Sequence, residues 1–211
     1  MTVLPGLRRF LDAPAGARQP AAACCELCGA PLGSGHAHAV DLDARRLLCV
    51  CPACRLLLTG RGVARGRYRT VPDRYRYIPD LALTRAQWEE LRIPVRFCFV
   101  FRNSRLGRYV ALYPSPAGAT EALLPTAVWQ QVLTANARVA DAADDVEALL
   151  LRRRENDLIE CHLVPVDACY RLVARVRVHW QGFDGGDRVR AETEAFFESL
   201  RAREYGEGGV R

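Results

Sequence analysis

Two Cys-x-x-Cys pairs, Cys25-Glu-Leu-Cys28 and Cys51-Pro-Ala-Cys54, constrain this chain more than any other feature of its sequence. A tight turn between two cysteines lets both thiolates reach one ion, and two such pairs complete a tetrahedron. Gly29 follows the first pair directly and can supply the positive φ that such a turn often needs. Twenty-two residues separate Cys28 from Cys51. They hold turn formers from Gly29 to Gly35 and two candidate strands, Ala37 to Leu42 and Arg46 to Val50. The spacing predicts two cysteine knuckles carried on short hairpins, a metal-binding ribbon over residues 24–60 with Cys25, Cys28, Cys51 and Cys54 as its ligands.

Four reduced thiols packed in an ordinary small core are the competing explanation. Residues 24–60 contain no Phe, Tyr or Trp. A module of that size built on Leu and Val alone buries too little apolar surface to fold, and a metal ion makes up the shortfall. Zinc is the expected ion and iron the alternative. Cys-x-x-Cys-Gly followed by Cys-Pro-x-Cys is similar to a rubredoxin site, but rubredoxins pack aromatic rings around the cage, and this module has none.

Three neighbours bear on the same site. Cys49 stands two residues before Cys51, on the same side of an extended segment, and His36 and His38 likewise share a side. Cys49, His36 and His38 either back the four thiolates or substitute for one of them, and an iron–sulfur cluster drawing on the extra cysteines is a further alternative. The two histidines otherwise belong to a solvated loop. Cys24 reads as a bystander, because adjacent cysteines rarely bind one ion together. Cys98, Cys161 and Cys169 lie in apolar segments and read as small buried hydrophobes.

The net charge of +6 invites a nucleic-acid reading, and residues 61–80 interleave arginines with Tyr68, Tyr75 and Tyr77. Yet all thirty basic residues of the chain are arginine. A bias that total reflects coding composition more than a partner, so nucleic-acid binding stays an alternative only. The missing lysine excludes a phosphate-loop lysine, a Schiff-base lysine and a kinase-type lysine. The four serines, Ser34, Ser104, Ser115 and Ser199, form no Gly-x-Ser-x-Gly elbow. Cys161 and His162, adjacent on a strand, point to opposite faces, and no pair of carboxylates suggests general acid–base work. Asp167 reads as favourable charge at a helix start, Arg152 to Arg154 as a hairpin end in solvent, and Gly60 to Gly66 as a flexible connector. No apolar run approaches the about 18 residues of a membrane span. Residues 1–17 lack the apolar stretch of a secretory signal. The expectation is a soluble, cytoplasmic, non-enzymatic protein.

The predicted organisation is a flexible lead-in (1–23), a four-cysteine ribbon (24–60), an Arg/Tyr-rich connector (61–80), an α+β domain (81–204) and a disordered tail (205–211). Within the domain, a capped helix runs from Thr84 to Leu91, with Gln87 completing the capping box. Strands follow at Val95 to Phe101 and Arg108 to Tyr113, then a helix from Pro125 to Ala135. Val146 to Leu151 and Leu158 to Val164 pair as a hairpin, although the first could equally be helical. Helices from Pro165 to about Gly182 and from Asp187 to Arg203 close the chain.

Several segments together resemble a known family: Cys25-x-x-Cys28 with His36-x-His38-x-Val40-Asp41 and Cys49-x-Cys51-x-x-Cys54; Val71-Pro-Asp-Arg74; Val164-Pro-Val-Asp-Ala-Cys-Tyr-Arg171; and Trp180-x-Gly182-Phe-x-Gly-Gly186. They are similar to an uncharacterised family encoded beside actinobacterial-type, high-affinity nickel–iron hydrogenases, over about residues 24–200. The resemblance implies an accessory role in hydrogenase assembly or electron transfer, with a hydrogenase subunit or maturation factor as partner. It brings no established activity with it.

Overall fold

In the segment Phe97-Cys-Phe-Val-Phe101 the phenylalanines take one face and Cys98 and Val100 the other. Ala148, Leu150 and Leu149, Leu151 divide in the same way. A strand that is apolar on both faces must be covered on both. That requirement sets the architecture of the computed structural model, which describes residues 23–59, 66–154, 156–182 and 185–207. Residues 60–65 of the flexible connector expected at Gly60 to Gly66, most of the lead-in and the end of the tail lie outside the described residues.

Two sheets form. The small one, ordered β2-β1-β3, comprises β1 (Ala37–Asp41), β2 (Arg46–Val50) and β3 (Tyr68–Thr70), with helix α1 (Pro52–Thr59) between β2 and β3. The large one is ordered β4-β9-β8-β5-β6-β7 and antiparallel throughout. Its strands are β4 (Arg76–Tyr77), β5 (Phe97–Asn103), β6 (Arg108–Ser115), β7 (Gly118–Ala122), β8 (Glu147–Arg153) and β9 (Ile159–Pro165). Helices α2 (Arg85–Glu90) and α3 (Thr126–Ala135) cover one face through Trp88, Leu91, Val128, Trp129 and Val132. Helices α4 (Val166–His179) and α5 (Gly186–Glu207) cover the other through Cys169, Leu172, Val176, Phe196 and Phe197.

This is the expected mixed α+β fold with a four-cysteine cluster beside a small sheet at its start. The capping box of α2 forms as its sequence requires: the Gln87 backbone N–H donates to Thr84 Oγ1, and the Thr84 N–H donates to Gln87 Oε1. The 146–164 hairpin is a hairpin, with seven residue pairs from Glu147↔Pro165 to Arg153↔Ile159. Three features differ from the sequence reading. Gly118–Ala122 is an edge strand, too short and small-residued to stand out. Residues 61–80 contribute β3 to one sheet and β4 to the other. Arg152, read as solvated, is 8% exposed: its guanidinium lies over the Phe197 ring at 4.8 Å and donates to Glu194 at 2.5 Å. A buried guanidinium is retained because ring and carboxylate replace its water.

The small sheet has two apolar faces of different kinds. Ala39, Leu48 and Val50 face the cysteines, whereas Val40 and Leu47 pack against the α4/α5 side of the large sheet. No described helix is long and apolar enough to cross a membrane.

Candidate metal centre

Residues 26–28 form the turn between the first two cysteines, closed by the Gly29 N–H donating to Cys25 O at 2.8 Å. Gly29 has φ +76, the conformation its position called for. The second pair is arranged differently from the expected knuckle on a hairpin. β2 ends at Val50, Cys51 follows it, and Pro52 starts α1, so Cys54 sits in the first turn of a helix. Proline suits that first position, having no N–H to leave unpaired. The free N–H groups of a helix start favour thiolate there, and the Cys54 N–H donates to Cys51 Sγ at 3.4 Å.

The four sulfurs of Cys25, Cys28, Cys51 and Cys54 all lie within 4.8 Å of one another, and Cys28 and Cys51 are 3.7 Å apart. A zinc tetrathiolate with bonds of about 2.3 Å has sulfurs about 3.8 Å apart. The donor set therefore fits a four-coordinate soft or borderline ion. Cys25, Cys51 and Cys54 are buried and Cys28 is exposed, so the cage lies just beneath the surface.

The thiols do not behave alike. Burial raises the pKa of Cys25, but hydrogen bonds from the backbone at Cys51, Leu27 and Cys28 outweigh it and bring the thiol down to about 6. At Cys54 the Cys28 side chain, then burial, push the thiol up to about 12. Cys25 is poised as thiolate while Cys28 and Cys54 resist joining it, since anions packed this closely repel. A cation at the centre removes that conflict.

Support for the cage comes from residues the Cys-x-x-Cys pattern does not contain. Glu26, inside the knuckle, accepts the Cys49 backbone N–H at 2.6 Å and the Arg46 guanidinium at 2.6 Å, tying the knuckle to β2. The Cys49 N–H, then the Arg46 guanidinium, hold the Glu26 carboxyl below its usual range against the opposing effect of burial. The aromatic ring missing from residues 24–60 arrives from β3: Tyr68 packs on the cysteine cluster, with the Arg67 guanidinium 5.0 Å from its ring centroid.

Cys49, His36 and His38 do not join the four thiolates. They form a second group, with ligand atoms within 4.8 Å of one another. The expectation that Cys49 shares the side of Cys51 fails because the strand ends at Val50 and the chain turns into α1, which breaks the alternation. Cys49 therefore faces away from the cage, beside Leu47. Cys24 belongs to neither group. Asp167 does more than favour the start of α4: its Oδ2 accepts His38 Nδ1 at 3.0 Å, joining the small sheet to the large one. No spacing rule links residues so far apart in sequence.

The arginines of residues 67–76 are engaged inside the chain. Arg67 pairs with Asp41 at 2.7 Å, Arg69 with Asp145 at 3.3 Å, Arg74 with Glu147 and Arg76 with Asp141. Asp41, Asp145 and Glu147 are buried. Arg67, Arg69 and Arg74 thus neutralise buried carboxylates, so these arginines serve the fold's internal electrostatics. Between the two sheets lies a cleft of about 340 Å³, lined by Val40, Leu47, Phe101, Val166 and Tyr170, with Asp145 among its polar groups.

No curated protein and no solved structure matches the chain. A family described as of unknown function, DUF5947, matches residues 24–204, which take in the cysteine cluster and both sheets. The chain belongs to that family.

Proposed function

We propose that this protein is a non-catalytic accessory or adaptor protein whose Cys25, Cys28, Cys51 and Cys54 cage holds one zinc ion as a structural element. The closed donor set carries the reading: the protein supplies four sulfurs and leaves no coordination position for a substrate, the mark of a structural site. A partner is suggested by the leucines that the module leaves outside, Leu56 at 74% and Leu57 at 64% exposure on α1. Large apolar side chains at that exposure suit docking better than solvation. The motif resemblance points the docking toward a subunit or maturation factor of a nickel–iron hydrogenase in the cytoplasm. Nucleic-acid binding loses support, because four of the arginines that invited it, Arg67, Arg69, Arg74 and Arg76, are paired with acids of the same chain.

The test has a chemical and a cellular arm. Anaerobically purified protein is expected to be colourless with tightly held zinc, which Cys28→Ser releases. Iron in a red protein would instead make it an electron carrier. Deleting the gene is expected to lower hydrogen uptake, with Cys28→Ser reproducing the loss and tagged protein co-purifying with a hydrogenase component. Normal uptake in the deletion strain, with no such partner recovered, removes the hydrogenase assignment and leaves the zinc site standing.

A further inference from the structure

We infer that His36, His38 and Cys49 form a second metal site, one for an exchangeable divalent transition ion with a coordination position left open. The site goes beyond the structural role proposed for the four-cysteine cage.

The backbone brings its ligands together. His38 lies directly opposite Cys49 in the β1/β2 pair. The Cys49 N–H donates to Glu26 Oε2 and its carbonyl accepts the Glu26 N–H, while the His38 carbonyl accepts from Val71. His38 and Cys49 are thus a non-hydrogen-bonded pair, the kind of antiparallel pair whose side chains come closest. His36 adds a second imidazole from just before β1, its ring centroid 5.0 Å from that of His38.

The hydrogen bonds then settle which nitrogens are available. Asp167 Oδ2 accepts the Nδ1–H of His38 at 3.0 Å, which in the neutral imidazole leaves Nε2 with its lone pair. This is the carboxylate–histidine arrangement that orients and strengthens an imidazole ligand. The Gly33 carbonyl can only accept, so its 3.2 Å contact places a proton on His36 Nδ1 as well. His36 Nε2 is buried and has no hydrogen-bond partner among the described residues. A buried nitrogen lone pair without a donor is costly unless a ligand satisfies it.

One ligand atom from each of the three residues, a ring nitrogen of either histidine and the Cys49 sulfur, lies within 4.8 Å of the others, and a tetrahedral ion bound by imidazole and thiolate needs separations of about 3.3–3.6 Å. Side-chain rotations cover that closure. Two imidazoles and one thiolate suit borderline ions such as Zn²⁺ or Co²⁺ and select against Mg²⁺ and Ca²⁺, which take oxygen. Three protein ligands leave the fourth position to water or an incoming group. Because Asp167 belongs to α4, an ion here fastens the small sheet to the large one.

Titrating the full chain with Zn²⁺ under anaerobic conditions, against a competing zinc-binding dye, tests the site by stoichiometry. Two ions per chain are expected, one resisting the dye and one yielding to it. Cys49→Ser and His38→Ala are each expected to bind one ion. Asp167→Asn should still bind two, the weaker one with about 10–100-fold lower affinity. A wild-type chain that holds one ion at saturating Zn²⁺ overturns the inference and leaves the cage untouched. So does a second ion that persists at wild-type affinity in Cys49→Ser and His38→Ala. Should Cys49→Ser lose both ions by misfolding, His36→Gln, outside the strands, decides. One remaining ion supports the second site, whereas two or none overturns it.

Discussion

On the α4/α5 side of the large sheet the buried set includes Phe97, Phe99, Phe196, Phe197 and Leu172, each at 5% exposure or less. The interior of the four-cysteine module consists of Cys25, Ala39, Leu48, Val50, Cys51 and Cys54. Half of that second set are cysteines, and among the described residues the one aromatic side chain packed against it, Tyr68, comes from β3. Burying a large apolar side chain contributes about 1.5–3 kcal/mol, so the first region has ample reserve and the second has little. What differs between them is the source of stability. The sheet domain rests on area removed from water, and the module on bonds to an ion.

The two regions part most sharply at the cage. Loss of a structural zinc removes on the order of 10 kcal/mol, so Cys54→Ser is expected to abolish amide exchange protection in β1, β2 and α1. Strands β5 and β8 should keep theirs. Protection lost in both regions together would mean that the module holds the sheet up. The converse substitution is Phe197→Ala, which empties a site that Phe97, His162 and the Arg152 guanidinium surround. It is expected to cost about 4 kcal/mol in denaturant unfolding with bound zinc unchanged.

Much of this was legible in the sequence, and unevenly. The helix at Thr84 and the 146–164 hairpin could be read because capping and apolar runs are local signals. The four cysteines could be read because metal coordination demands fixed spacing. The sequence brings out the second group but misplaces it: period-2 alternation sets Cys49 beside Cys51 by assuming that the strand continues. Pro52 was the signal that it does not, being suited to a helix start. Asp167 against His38 and Arg74 against Glu147 were beyond reach. Each joins residues more than 70 positions apart, and no propensity or period connects them. The same long-range pairing explains why an arginine-rich stretch resembles a nucleic-acid surface when Arg67, Arg69, Arg74 and Arg76 answer acids elsewhere in the chain.

The smallest effect concerns a buried carboxylate in the sheet domain. Glu160, 4% exposed, accepts from His162 Nε2 at 3.0 Å and faces Arg201 at 3.1 Å and Arg152 at 3.9 Å. Burial raises its pKa, but His162, Arg201 and Arg152 prevail and hold it below the ordinary value. A carboxylate whose folded pKa is depressed stabilises the fold above its unfolded pKa of about 4.3. That contribution fades as pH falls from there through the depressed value. Glu160→Gln keeps the shape and removes the titration, so wild type should exceed it in melting temperature at pH 6, by on the order of 3 °C. The gap should narrow progressively below about pH 4. The four-cysteine module offers no such window, because its thiolates take up protons and release the ion at higher pH. Melting of protein stripped of metal by chelation isolates the sheet domain for the comparison. A gap that stays constant from pH 6 to pH 3 would show that the cluster of Glu160, His162, Arg152 and Arg201 acts through packing alone, and would erase the electrostatic part of the contrast between the two regions.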